Sequence, residues 1–150
     1  MAHVLFICTG NYYRSRFAEL LFNALVAKTD LGWRAISRGT RAQFMRPADS
    51  PVSRLVLEGL QSRGIEVYQP LHLPIQLTEE DLAKADRIIL LNEAEHRPYL
   101  EAHFPTWADR VEYWHVHDIE VSPAHEALLA IEHHVHGLVE RLAEAQAPSP

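Results

Sequence analysis

The chain has 150 residues, one cysteine and a net charge of −6, with 47% apolar and 23% charged residues. That is long enough to bury a core of ordinary size, too apolar for a disordered chain and too acidic for general nucleic-acid affinity. One cysteine makes no internal disulfide and no cysteine-based structural zinc site, and no apolar run approaches the roughly 20 residues of a membrane span.

Residues 3–7 (HVLFI) form a short, continuous, β-rich apolar run, the pattern of a strand buried on both faces. The opening is too short and not basic enough for a secretory leader, so a cytoplasmic location is expected. A polar loop, CTGNYYRS, spans 8–15. Beyond it Phe17, Leu20, Leu21, Ala24 and Leu25 recur at helical spacing. A second strand is expected at 33–37, ending in Ser37-Arg-Gly-Thr40. Residues 51–63 read as a helix with Val52, Leu55, Val56 and Leu60 on one face and Gly64 as its stop. Thr78-Glu-Glu-Asp81 is a capping box with Asp in the place of Glu. A third strand is expected at 87–91 (RIILL), a helix at 93–102 and a fourth strand at 111–116, around which Trp107, Tyr113 and Trp114 look like packing. Ser122-Pro123 reads as an N-cap and first helical residue of a helix running to about Ala143. Strands alternate with helices throughout. The expected fold is α/β: a four-stranded parallel sheet flanked by helices on both faces, with a phosphate-binding loop between the first strand and first helix. One domain is expected over 1–150, with 145–150 as a flexible tail.

The loop Cys8-Thr9-Gly10-Asn11-Tyr12-Tyr13-Arg14-Ser15 carries the chemistry. In general form it is C-x5-R-S at a strand-to-helix junction. Loop amides and the helix N-terminus converge there with partial positive charge, which suits an anion and favours a thiolate, the form that attacks. Arg14 adds a planar fork matching two phosphoryl oxygens. Gly10 supplies backbone freedom. Asn11 tolerates a left-handed conformation and ties the loop through its amide, and Ser15 can donate a hydrogen bond to the thiolate. The alternative for Cys8 is a buried residue ending a strand, which leaves Gly10, Asn11, Arg14 and Ser15 unexplained.

The segment from Val4 to Glu19, VLFICTGNYYRSRFAE, resembles the N-terminal signature of the low-molecular-weight protein tyrosine phosphatases. The resemblance extends along nearly the whole chain through Ser37-Arg-Gly-Thr40, Gly64-Ile65, His72, 76–82 (QLTEEDL), 86–91 (DRIILL) and 113–118 (YWHVHD). It implies that Cys8 is the nucleophile, that Arg14 binds the phosphoryl group and that Asp118 is the general acid. It further implies that Asn11, Ser15 and His72 support the loop, and that Thr9, Gly10, Tyr12 and Tyr13 complete the phosphate cradle. Asp118 also lies just past a strand's expected C-terminal end, where α/β sheets place their sites. Glu120, Asp109 and Glu112 are its competitors, and a turn or capping role is its alternative.

The chain departs from the family at several positions. Tyr13 stands where a second cysteine is usual, so no loop disulfide can protect Cys8 from over-oxidation. Arg16 replaces a proline, Ile119 follows Asp118 where proline is usual, the tyrosines that commonly follow are missing, and Asn92 stands in the place of an acidic residue. Tyr12 is placed either to stack on an aromatic substrate ring or to pack against the loop. Phe44 is a candidate opposite wall, and Arg16, Arg38, Arg41 and Arg46 are candidates for a basic surround. Ten histidines raise the question of a metal. His115 and His117 share a strand face, His133 and His136 are three apart and Glu132 and His136 four apart, but no third ligand is fixed by spacing. No metal or cofactor is expected.

The expected function is that of a phosphomonoester hydrolase, a protein-tyrosine phosphatase working through phosphocysteine on a phosphotyrosine protein or small aryl phosphate, with neither nucleic acid nor membrane as partner. The alternatives left open are a glutathione-assisted arsenate reductase, a non-catalytic phosphate- or phosphoprotein-binding module and a phosphocarrier. A thioredoxin-coupled arsenate reductase would need two more cysteines.

Overall fold

Four strands pair side by side in the order β2-β1-β3-β4, every neighbouring pair parallel. They are β1 (Ala2–Cys8), β2 (Trp33–Gly39), β3 (Arg87–Leu90) and β4 (Glu112–Tyr113), with helices α1 (Arg14–Val26), α2 (Arg54–Gln61), α3 (Glu79–Lys84), α4 (Glu93–His103) and α5 (Ala124–Gln146). The computed structural model describes residues 1–45, 50–68, 70–118 and 123–146.

Successive side chains of a strand point to opposite faces, and β1 is apolar on both. Val4, Phe6 and Cys8 turn toward Phe17, Leu21 and Phe22 of α1, Val56 and Leu60 of α2, and Ile131, Val135 and Leu138 of α5. Leu5 and Ile7 turn to the other side, where Leu82 of α3 and Leu100 of α4 cover them. The helices on both faces are those that the alternation of strands and helices requires. The chain runs from β1 to β2 on one side and returns to β3 on the other. The C-terminal end of β1 is therefore the switch point of the sheet, where a crevice opens, and Cys8 stands there.

Several boundaries move for local reasons. The capping box at Thr78 is reciprocal, with Thr78 accepting from the Asp81 N–H and Asp81 from the Thr78 N–H. Helix α2 begins at Arg54 rather than 51, because Ser53 caps it by accepting from Leu55 N. Gly64 stops the chain beyond it with φ +71°. Strand β4 is much shorter than 111–116. Trp114 and Val116 still donate to the Leu90 and Leu91 carbonyls, but the chain there passes α4's first residues and pairs antiparallel at Asn92 and His115. Trp114 is buried against Phe6, and Trp107 and Tyr113 pack on the opposite cluster. Ser122 lies outside the described residues. Pro123 precedes the helix rather than beginning it, and its carbonyl accepts from Ala127 N (3.2 Å). Helix α5 continues to Gln146, whose amide donates to the Leu31 carbonyl (2.7 Å), so 145–146 belong to the helix. The rest of the expected tail lies outside the described residues.

Candidate active site

The loop from Cys8 to Ser15 closes over the end of β1. Thr40 and Arg41 donate their N–H groups to the carbonyls of Cys8 and Thr9 (2.9 Å each), so the loop is stitched to the continuation of β2. Gly39 makes this approach feasible: a Cβ there would sit 2.6 Å from the Thr9 carbonyl oxygen and 2.9 Å from Asn11 N. The left-handed residue of the loop is Asn11 (φ 53°), as its side chain suggested. Gly10 has no positive φ. Its missing side chain makes room for Met45 instead, whose methyl carbon lies 3.3 Å from where a Cβ would be.

A chain of directed hydrogen bonds runs back from the sulfur. Asn11 Nδ2 donates to Ser15 Oγ and to Ser37 Oγ (2.9 Å each), and its Oδ1 accepts from Ile75 N (2.9 Å). Ser37 in turn donates to Glu19 Oε1. With its lone pair taken by Asn11, Ser15 Oγ has its own hydrogen free for Cys8 Sγ, 2.9 Å away. That is the arrangement a thiolate nucleophile requires. His72 does not touch the loop directly. Its Nδ1 donates to the Leu73 carbonyl (2.8 Å) and its Nε2 faces Glu19 Oε2 (3.5 Å), so it supports Asn11 and Ser15 through Glu19 and Ser37.

Arg14 is 1% exposed. Its Nη1 donates to the Val116 carbonyl (3.0 Å) and to Glu95 Oε2 (2.8 Å), and its Nη2 to Glu95 Oε1 (2.8 Å). Asp118 Oδ2 lies 3.6 Å from the same Nη2. Burial works against the guanidinium charge, and Glu95, Cys8 and Asp118 more than restore it. Asp118 is therefore at the loop, with its side chain 42% exposed. Of its competitors, Asp109 is 90% exposed and paired with Arg97, and Glu112 accepts from Arg87 and from Trp114 Nε1. Glu120 and Ile119 lie outside the described residues.

Glu95 is the residue that sequence reading missed. The departure at Asn92 drew notice, and its compensation lay one helical turn further on. Asn92 caps α4, its Oδ1 accepting from Glu95 N (3.0 Å), and Glu95 is the third residue of the helix. A glutamate there ordinarily reaches back to the cap's own N–H. Here that N–H donates to His96 Nδ1 (3.2 Å), which frees Glu95 for Arg14. The signal, Asn-x-x-Glu opening a helix, was legible as a cap but not as part of the site. With Nδ1 accepting, neutral His96 carries its proton on Nε2. It donates to Thr9 Oγ1 (3.1 Å), and Thr9 donates to Glu95 Oε1. Burial holds His96 below its ordinary value, against the pull of Glu95. Burial alone would raise Glu95, but the hydrogen bonds from His96, Arg14 and Thr9 hold its carboxyl well below the usual range.

The expected basic surround does not form as drawn. Arg16 is fully buried, donating to the Pro51 carbonyl (3.2 Å) beside Glu19 (3.5 Å), with its Nε and Nη2 unbonded. Burial pulls its charge down, and Glu19 and Cys8 offset that in part. Arg38 turns to the other face of the sheet, onto Asp81 (3.2 Å). Arg41 lies exposed over the Phe44 ring, and Arg46 lies outside the described residues. Phe44 itself is 66% exposed, and Tyr12 is half-buried. The Tyr13 side chain, expected in the phosphate cradle, points away from it. It is buried in the core, and its hydroxyl donates to the Ala124 carbonyl (3.1 Å). Burial, reinforced by Asp118, pushes its pKa up to about 12. Among the described residues no group of three His, Cys, Asp or Glu side chains could hold a metal ion, and no helix is long and apolar enough to cross a membrane. His115 and His117 do share an exposed face, alternating with buried Trp114 and Val116.

A model of the family described as low molecular weight phosphotyrosine protein phosphatase matches residues 3–147. The chain belongs to that family. A low molecular weight phosphotyrosine protein phosphatase of Dictyostelium discoideum is 31% identical over 102 residues, 61% of this chain and 56% of that protein. A Bacillus subtilis protein-arginine-phosphatase is 29% identical over 108 residues, 72% of this chain and 67% of that one. The crystal structure of a low molecular weight protein tyrosine phosphatase from T. tengcongensis is 30% identical, with a TM-score of 0.75 over 97% of this chain and 99% of that one. The match to the Dictyostelium relative spans little more than half of its length.

Proposed function

We propose that the protein hydrolyses phosphomonoesters, acting on phosphotyrosine in proteins, through a phosphocysteine formed on Cys8. One observation carries this reading. A sulfur bonded to the Ser15 hydroxyl heads the loop, and Arg14 and Asp118 meet 3.6 Å apart at that loop.

Cys8 Sγ attacks phosphorus, so that an S–P bond forms as the bond to the leaving oxygen breaks. Loop amides and Arg14 hold the equatorial oxygens, where charge develops. Asp118 gives its proton to the leaving oxygen, then takes one from the water that attacks phosphorus and releases Cys8 and phosphate. The Ser15 hydroxyl, oriented by Asn11, holds the sulfur's negative charge before attack and after release. None of these steps needs a metal ion.

The experiment is turnover of para-nitrophenyl phosphate without added metal, with acid trapping of the phosphocysteine. The expected result is turnover with a transient label on Cys8, lost in Cys8→Ser, which still binds phosphate. A stable label without hydrolysis would identify a carrier, and neither label nor turnover a binding module. A phosphotyrosine peptide is compared with a phosphoarginine peptide. The second reading, phosphoarginine, is favoured by the Bacillus relative's activity and by two partly exposed carboxylates, Glu95 and Asp118, beside Arg14. These would complement a cationic leaving group.

A further inference from the structure

Arg14 can bind two phosphoryl oxygens side-on only if its guanidinium plane is fixed before substrate arrives. Burial alone does not fix it: Arg14 is the first residue of α1, and its long side chain extends to the Val116 carbonyl. The group that meets it there is Glu95, with two contacts of 2.8 Å in the end-on fork geometry. Of the five guanidinium hydrogens, this pair takes one from each terminal nitrogen, and the Val116 carbonyl takes the outer one on Nη1. Nη2 also donates to Thr9 Oγ1 at a longer 3.4 Å, Asp118 Oδ2 lies 3.6 Å from the same nitrogen, and the Nε–H side edge is the part of the fork turned away from Glu95.

We propose that Glu95 is the positioning residue of this site: it turns the side edge of Arg14 toward the phosphoryl group, and the His96–Thr9 relay holds Glu95 in place. The inference rests on the phosphatase reading in that it assigns Arg14 to phosphate. The relay is directional at every link. The Asn92 N–H fills His96 Nδ1, which puts the imidazole proton on Nε2, and that proton fills Thr9 Oγ1. The Thr9 hydrogen is thereby aimed at Glu95 Oε1. His96 is 1% exposed, so the relay is anchored in the interior at its His96 end, while Glu95 itself is partly exposed. Glu95 also offsets part of the Arg14 charge. A carboxylate acting only as a counter-charge would weaken phosphate binding, whereas one that orients the fork strengthens it. The two roles predict opposite signs.

The test is calorimetric titration of the full chain with inorganic phosphate, with steady-state kinetics on para-nitrophenyl phosphate, for wild type, Glu95→Gln and Thr9→Val. The expected result is a phosphate Kd and a KM that both rise about tenfold or more in Glu95→Gln, and rise in the same direction, by less, in Thr9→Val. Unchanged or tighter phosphate binding in Glu95→Gln overturns the proposal. So does a fall in the number of competent sites with Kd and KM unmoved, the pattern of a merely structural role. If Glu95→Gln fails to fold, Thr9→Val decides alone, and an unchanged Kd there overturns the proposal. Wild type that binds phosphate without turning over the aryl ester removes the phosphatase reading while the binding comparison still decides the role of Glu95.

Discussion

The Tyr13 hydroxyl donates to the carbonyl of Ala124, 111 residues further along, at 3.1 Å. This bond ties the residue before Arg14 to the first residue of α5, just beyond the segment that carries Asp118. Because burial and Asp118 push Tyr13 up to about 12, the hydroxyl stays a donor at any working pH. Tyr13→Phe keeps the ring in the core and deletes the bond. The expected cost is about 1 kcal/mol, read as a lower urea midpoint with an unchanged slope. A midpoint equal to wild type would show that the bond contributes nothing.

Asp118→Asn removes the proposed proton donor and keeps the shape. General acid catalysis contributes about 10²–10⁴-fold, most where the leaving group is poor. Phenyl phosphate turnover is therefore expected to fall by about 10²-fold or more, and para-nitrophenyl phosphate turnover by much less. Equal losses on the two substrates would take Asp118 out of the acid role.

Gly39→Ala places a methyl group against the Thr9 carbonyl and Asn11 N, both backbone atoms of the anion loop. Backbone cannot swing aside as a long side chain can, so either the loop or β2 must shift. The expected destabilisation is about 1–3 kcal/mol, with weaker phosphate binding measured by calorimetry. Gly64→Ala is a control for strain alone, since nothing lies within 4 Å of a Cβ there but φ is +71°. It is expected to destabilise without altering phosphate affinity.

His96 gives stability a defined pH slope. Burial holds it below its ordinary 6.5, so folded His96 stays neutral where an unfolded chain's imidazole takes a proton. Above about 6.5 neither state binds that proton and the contribution is fully present. As pH falls below this the unfolded state gains protons that the folded state refuses, and stability declines until folded His96 protonates too. Glu95, held below its ordinary 4.5, adds a second loss as pH falls through the acid range. Urea unfolding between pH 7.5 and 5 is expected to show this fall, flattened in His96→Asn. A parallel slope in that variant would assign the decline to other groups.

The strands, the helices and the anion loop were legible because each is written locally: apolar runs for β1 and β3, helical spacing for α1 and α2, a capping box for α3, C-x5-R-S for the loop. Asn11 was legible as a left-handed residue for the same reason. Arg16 and Arg38 were not, because what decides them is which face their element buries: Arg16 goes inside beside Glu19 and Arg38 onto Asp81. The fourth strand was read too long because a buried alternating pattern at Trp114 and Val116 records burial, and pairing depends on the partner's backbone at Asn92.

By itself the sequence determined the order of elements, the family and a candidate nucleophile, an arginine and a candidate anion cradle within eight consecutive residues. Short-range chemistry suffices for these, since the loop's hydrogen-bonding groups are neighbours in the chain. Only the tertiary structure decided which carboxylates face Arg14. Glu95 comes from the first turn of α4 and Asp118 from beyond β4, and both meet the loop because the sheet order brings β3 and β4 to one side of β1. Charge pairing at 2.8 to 3.6 Å depends on where strands lie side by side, and residue spacing along the chain carries no record of that.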